Sequence, residues 1–508
     1  MIRRLVLGLK NDSKEKKTFR NQIFCVVLIF LALLSWAVSS PVGSSPDDGF
    51  HLASIWCAGS NEASKCEPGS TENSRQVPMG VSTAQNCYAF FPEVSATCQI
   101  DLGGSEANAL IETEALNSAG FYPPVYYRVM STFAGSDITK SVLLIRFLNC
   151  LFYLGLFILT LSISSPKIRN VLMLSQVLVI VPFGLFIVSS INPSSWAFTI
   201  ISFLWAILWK MLDSDGLQRV LLLLILIGLI VLAAGTRSDC AIWVGISILA
   251  VVVMRWSKEL FSRYNVCVFA VALAISFLFF LIGKQHQMGI SGLSDVRAIP
   301  TADLWFQNFS RMPYLITGAI GNGPLGWMDT NMPSIVAVGV PSLLFAYLFQ
   351  NVGGRTKGEQ LSLLLVGITL ILAPLYLLNE GNLLIPETFQ PRYFLPLIPL
   401  ITGLFLIRTS AVLKTIGRTQ KVLTVLVLAI AHGFAFHTNI RRYVTGVDVL
   451  DWNLNESSEW WWSAWIPSPM TVWGVGTLSF ATAVVLCMHS IVDLADRQSS
   501  DIITNSVR

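Results

Sequence analysis

Pro41-Val42-Gly43-Ser44-Ser45-Pro46-Asp47-Asp48-Gly49-Phe50-His51 follows directly on the first long apolar run of the chain, Gln22–Ser39. Two adjacent carboxylates and an imidazole, set in a Gly/Pro/Ser turn where a membrane helix meets water, are costly to leave without partners at a low-dielectric boundary. Asp47, Asp48 and His51 are therefore candidate reactive groups. The plainer reading makes the acids a helix cap, since Asp is a favoured N-cap residue and a helix-like piece runs from Gly49 to Ala58. Neighbours in an extended turn point in opposite directions, so one acid is expected to face a cavity and the other to bond the turn.

Outward from this stretch, the composition sets the class. Of the 508 residues, 53% are hydrophobic and 13% charged, where a soluble chain carries about a quarter charged residues. The chain reads as an all-α integral membrane protein with about twelve transmembrane helices, from Gln22–Ser39 to Thr471–His489, Val171–Ile191 among them. A net charge of +4 is too small to argue for a nucleic-acid partner. With the N-terminus in the cytoplasm, the inside segments collect 22 of the 34 Lys and Arg residues in much shorter loops. By the positive-inside rule both termini are expected in the cytoplasm of a multi-pass plasma (inner) membrane protein, with the acidic turn outside. Ala37-Val38-Ser39-Ser40 resembles a signal-peptide cleavage site, but the preceding charged region is long, and an uncleaved anchor is expected.

Three regions follow. Residues 1–21 form a cytoplasmic segment. Residues 22–436 form the membrane module with large outer loops 40–140 and 284–333. Residues 437–508 hold a Trp-rich outer loop, a last span and a tail.

Cys57, Cys66, Cys87 and Cys98 all lie in the first outer loop. Four cysteines in one exported loop read as two disulfides with three possible connectivities, of which neighbour pairing, Cys57 with Cys66 and Cys87 with Cys98, is preferred. Their spacings lack the short Cys-x-x-Cys pairs of zinc sites. The same loop carries a second helix-like piece, Glu106–Ala119, whose uneven apolar stripe suits a helix on the membrane plane. It closes in Tyr122-Pro123-Pro124-Val125-Tyr126-Tyr127, where Tyr122, Tyr126 and Tyr127 serve as an interfacial belt or as stacking faces for sugar rings.

Later outer turns repeat this polar and aromatic character. Asn192, in Asn192-Pro193-Ser194, caps a helix or bonds a ligand, and Arg237 and Asp239 offer a local ion pair. Asp329, in Gly326-Trp327-Met328-Asp329-Thr330, is a turn former or a second acidic group over the cavity. In Gln390-Pro391-Arg392-Tyr393, the Arg392 guanidinium stands at the edge of a span, where it requires lipid phosphate, a carboxylate or a substrate phosphate. Trp452, Trp460, Trp461, Trp462 and Trp465 form an interfacial mat. No nucleotide-binding loop and no Gly-x-Ser-x-Gly or His-Glu-x-x-His pattern occurs.

An acidic pair after the first span, a long outer loop closing in a Pro-Pro-aromatic turn, and ten or more spans resemble the GT-C superfamily of membrane glycosyltransferases. More closely, the motifs around Asp47, Tyr122, Asn192, Asp329 and Arg392 look like those of a bacterial predicted-membrane-protein family of unknown function placed near that superfamily. The loop closure reads Tyr122-Pro123-Pro124 where related enzymes often have His-Pro-Pro. The resemblance implies sugar transfer from a polyprenyl-phosphate-linked donor to an extracytoplasmic glycan or lipid acceptor in cell-envelope polysaccharide assembly, with inversion at the anomeric carbon. It implies Asp47 as catalytic base with Asp48 in support. His51, Tyr122, Tyr126, Tyr127, Asn192, Asp329, Gln390, Arg392 and Tyr393 then line the substrate, with Arg392 on the leaving phosphate. No cofactor is called for, a divalent cation beside Asp47 is left open, and no protein partner is named. Two rival readings are a lipid or polysaccharide transporter or flippase, which would want charges deep in several spans, and a non-catalytic partner protein that keeps the fold.

Overall fold

Backbone groups have no water to bond in hydrocarbon, so apolar runs satisfy them internally as helices. The computed structural model describes residues 13–59, 65–257, 262–282, 300–350, 352–385, 390–407, 416–462 and 465–506. Residues 284–299 of the second large loop, 386–389 before Gln390, the basic stretch 408–415 and most of the N-terminal segment, 1–12, lie outside the described residues.

The helices run α1 Ser13–Ala37, α2 Asp48–Ala58, α3 Met79–Ser82, α4 Val125–Met130, α5 Ile138–Ile163, α6 Pro166–Val179, α7 Phe183–Val188, α8 Ser194–Leu212 and α9 Gly216–Ala234. They continue as α10 Ser238–Met254, α11 Arg263–Ile282, α12 Thr301–Thr317, α13 Ser334–Gln350, α14 Lys357–Glu380, α15 Leu397–Leu406, α16 Arg418–Val444 and α17 Pro469–Ser506. Eight of them, α1, α5, α8, α9, α11, α14, α16 and α17, hold segments long and apolar enough to cross a membrane, and α10, α13 and α15 are shorter apolar helices. The protein is an all-α integral membrane protein.

Local chemistry sets the helix ends. Thr356 and Glu359 form a reciprocal capping box at the start of α14, at 3.3 and 3.0 Å. Asp137 accepts from the Lys140 N–H at 2.9 Å at the start of α5. The run Val171–Ile191, expected as one span, is broken between α6 and α7. Pro182 has no N–H and disfavours helix in the residue before it, and the chain restarts with Phe186 N–H donating to the Pro182 carbonyl at 3.1 Å. A broken helix is tolerated at membrane depth where protein surrounds it. Every residue from Ile168 to Leu208 is buried. This central layer packs against α15, while α1 lies along α17 and α17 along α16.

The first loop departs from expectation in one segment. Glu106–Ala119 is not a helix on the membrane plane: it contains β3, Leu110–Thr113, the edge of an antiparallel sheet with β1, Glu67–Pro68, and β2, Arg75–Pro78. Arg75 opposes Thr113 and Pro78 opposes Leu110. The carboxylates read as the polar face of a helix instead bond the hairpin ahead of them, Glu112 to Ser70 N at 2.6 Å and Glu114 to Thr71 Oγ1 at 3.0 Å. The predicted helix from Gly49 is present as α2. The disulfides are Cys57–Cys66 and Cys87–Cys98, the neighbour pairing.

Candidate functional site

The turn between α1 and α2 is held by side chains from the whole length of the chain. Gly43 sits at φ +86, a left-handed conformation that suits glycine. From α5, the buried Arg146 donates through Nη1 to the carbonyls of Ala37 and Ser40 at 2.9 and 2.6 Å, and through Nη2 to that of Pro41 at 2.6 Å. The Val42 carbonyl accepts from Tyr88 Oη at 2.6 Å and Gln99 Nε2 at 2.8 Å. Trp327 Nε1 donates to Gly43 O at 2.8 Å, Tyr443 Oη to Ser44 O at 3.2 Å and Asn192 Nδ2 to Pro46 O at 3.0 Å. With Asp48 N–H on Ser45 O at 3.1 Å and His51 N–H on Asp47 O at 3.0 Å, every carbonyl from Ser40 to Asp47 is satisfied. A turn so completely bonded holds its side chains in fixed directions.

The two acids diverge. Asp47 occupies the left-handed region at φ 61 and makes no side-chain cap, a conformation Asp tolerates better than most residues. Its carboxylate turns to Arg392 Nη2, the two forming an ion pair in which the guanidinium is 1% and the carboxylate 43% exposed. Asp48 turns the other way and is fully buried. Its carboxylate accepts from Ser45 Oγ at 2.7 Å and Ser45 N at 3.2 Å.

Their proton affinities diverge as well. Burial pushes Asp48 up to about 6, with Arg146 and the Ser45 hydrogen bonds opposing the rise. Burial would raise Asp47 too, but Arg392, then His51 and Arg237, outweigh it and hold the carboxyl below the ordinary range. Burial drives His51 down to about 3, so the imidazole is neutral at pH 7. Its Nδ1 shares a hydrogen bond with the Tyr127 hydroxyl at 2.9 Å, while its buried Nε2 has no hydrogen-bond partner. The rings of Phe50 and Tyr122 stand edge-on to it, each with its centroid 5.5 Å away.

Arg392 lies in a short 3-10 turn, Pro391–Tyr393, between Gln390 and α15. Besides Asp47, its Nη2 reaches Tyr393 Oη at 3.4 Å, and its buried Nε and Nη1 have no hydrogen-bond partner. A guanidinium that snorkels to headgroups would be exposed; this one is closed off from solvent. Arg237 joins it from the start of α10. Bonded to both Asp239 oxygens at 2.9 and 2.7 Å, it lies 5.7 Å from the Tyr122 ring centroid and 5.2 Å from that of Tyr393.

The structure therefore brings together Asp47, His51, Tyr122, Tyr127, Arg392 and Tyr393, with Gln390 at the turn before Arg392. Tyr126 stands behind Tyr127, its ring against Trp196 and its hydroxyl accepting from Asn149 Nδ2 at 3.4 Å. Asn192 and Asp329 are committed elsewhere. Asn192 Oδ1 accepts from Ser194 N at 2.9 Å at the start of α8 while its amide holds Pro46. Asp329 pairs with the buried Arg442 at 2.7 Å. Sequence reasoning missed Arg237 as a wall of the site and Arg146 as the clamp of the turn. A charge within an apolar run was the signal for Arg146, and a cation two residues from an acid, read as a local ion pair, was the signal for Arg237. Among the described residues, no three His, Cys, Asp or Glu side chains converge as a metal site would need.

A family model described as "Predicted membrane protein (DUF2142)" matches residues 30–401, a span that takes in every one of these site residues. No curated protein matches the chain.

Proposed function

The chain belongs to this predicted membrane protein family, and from that premise we propose that it is a glycosyltransferase taking a sugar from a polyprenyl-phosphate donor to a glycan or lipid acceptor on the extracytoplasmic side, in cell-envelope polysaccharide assembly. The observation that carries the reading is the pairing of a sealed, under-bonded guanidinium with a half-exposed carboxylate: Arg392, with Nε and Nη1 unpartnered, beside Asp47. Phosphate, like carboxylate, presents oxygens that suit an arginine fork. A carboxylate within hydrogen-bond reach of an acceptor hydroxyl is the base such a transfer needs.

In this reading the acceptor oxygen attacks the anomeric carbon from the side opposite the phosphate. The carbon–oxygen bond to phosphate breaks, its electron pair leaves on the phosphate beside Arg392, and the hydroxyl proton passes to Asp47. One attack from the opposite side inverts the anomeric carbon. Tyr122 and Tyr393 lie under the guanidiniums of Arg237 and Arg392 and hold these cations at the site, and neutral His51 offers an uncharged nitrogen to a sugar hydroxyl.

The test uses the full chain in nanodiscs with a panel of short-chain polyprenyl-phosphate hexoses and acceptor glycans or lipids extracted from cell envelopes. Release of polyprenyl phosphate with appearance of the sugar on the acceptor is expected, and Asp47→Asn should lower the rate by about 10² to 10⁴. Turnover in the Asp47→Asn variant at the parental rate would sink the base assignment. No turnover with any donor, and no binding of the donors, would sink the enzyme reading.

A further inference from the structure

Two guanidiniums flank the same ring, Arg237 and Arg392 each lying 5.2 Å from the centroid of Tyr393. They are not equivalent. Arg237 is matched by both oxygens of Asp239, and its Nη1 donates to Ser194 Oγ at 3.1 Å. Arg392 meets Asp47 through Nη2 alone, leaving Nε and Nη1 sealed from water and unpartnered. Unbonded donors on a buried cation are expensive, so the resting pair leaves Arg392 short of acceptors. A tetrahedral phosphate presents more acceptor oxygens than the one Asp47 uses here. Asp47 for its part can leave at small cost, because its carboxylate is already 43% exposed to solvent.

We propose that a lipid-linked phosphate and Asp47 compete for Arg392, so that seating the donor displaces the carboxylate from the guanidinium and frees it to act as base. The inference rests on the glycosyl-transfer reading above and adds to it an order of events: donor first, then an active base. In the resting pair the carboxylate is a weak base, held down chiefly by Arg392, with Arg237 adding to it. Among the described residues Arg392, Arg237 and His51, with the Tyr122, Tyr127 and Tyr393 hydroxyls near them, face it. With Arg392 taken by phosphate, Asp47 loses its nearest opposite charge, and losing an opposite charge at this range raises a carboxyl by about one to three pH units. The base then gains strength at the moment the leaving group is in place.

The competition has a signature that catalysis alone does not produce. Decyl phosphate is titrated into the full chain in detergent by calorimetry, with the parent, Asp47→Asn, Arg392→Ala and the double variant. Asn tolerates the left-handed backbone at this position, so the fold should be kept, and thermal unfolding of each variant checks it. Removing the competing charge is expected to tighten decyl phosphate binding by about tenfold or more. The parent should bind more tightly as pH falls through the Asp47 titration, with no matching change in Asp47→Asn, and Arg392→Ala should lose binding in both backgrounds. Unchanged or weaker binding in Asp47→Asn, with Arg392 still required, overturns the exchange and leaves the phosphate reading standing. Binding indifferent to Arg392 overturns both.

Discussion

Asp329 and Arg442, separated by 113 residues, form an ion pair at 2.7 Å in which the side chains are 4% and 0% exposed. Arg442 also donates to the carbonyls of Val94 and Tyr88, each at 2.7 Å, on the loop closed by Cys87–Cys98. Gly326 permits the approach: a Cβ there would lie 2.9 Å from Asp329 Oδ1 and 2.7 Å from Tyr443 Oη, at a backbone φ of +62. One pair thus joins α16, the Gly-rich turn and the disulfide loop above the Asp47 turn.

Breaking it should appear as lost stability. Removing one partner of a buried pair costs about 3 to 5 kcal/mol, so Asp329→Ala should melt well below the parent in detergent. Asp329→Asn, which keeps an acceptor for Arg442, should lose less. Decyl phosphate affinity at temperatures where the variants stay folded should match the parent. A variant with parental melting and lost affinity would instead make Asp329 a ligand residue.

Arg392→Lys separates charge from geometry. Lysine keeps the positive charge but loses the planar fork. Hydrogen bonds to charged groups contribute about 1.5 to 3 kcal/mol, and loss of one such bond predicts roughly ten- to hundredfold weaker decyl phosphate binding by calorimetry. The melting temperature should change far less, because Asp47 remains open to water on one side. Parental affinity in Arg392→Lys would show that the site needs only a charge.

Asp48 predicts a pH dependence of known sign. Its folded value, pushed up to about 6, lies above the ordinary carboxyl value. The folded state therefore binds a proton that the unfolded state has released. That contribution is fully present below the ordinary value, near pH 4, and is lost as pH rises through about 6. Asp48→Asn stays uncharged throughout, so the melting difference, parent minus variant, should be most favourable to the parent near pH 4 and should fall on the way to pH 7. A difference that is flat, or that grows with pH, would contradict the assignment.

Thiol chemistry tests the loop and its side of the membrane together. Mass mapping without reduction should find Cys57 linked to Cys66 and Cys87 to Cys98. In a variant whose other free cysteines are replaced, Ser70→Cys should react with an impermeant maleimide in intact cells, and Ser257→Cys only after permeabilisation; both positions are exposed. The reverse pattern would invert the proposed orientation and move the site to the cytoplasmic face.

The sequence by itself determined what depends on short-range pattern. Long apolar runs with few charges require a helical membrane protein, since hydrocarbon leaves the backbone no other partner. Cysteines only nine and eleven residues apart found their nearest neighbours. The acidic pair could be located at the end of the first span, together with the expectation that its members diverge. Short-range pattern also misled: Glu106–Ala119 carries a helix-like stripe, yet its glutamates bond Ser70 and Thr71 of a hairpin, and Pro182 divides a run that reads as one span. Only the tertiary structure decided which acid meets which cation. Asp47 and Arg392 are 345 residues apart, and Arg146 grips its turn across more than a hundred. Such pairings depend on which helices pack together and on one left-handed residue at Asp47, and residue spacing carries neither kind of information.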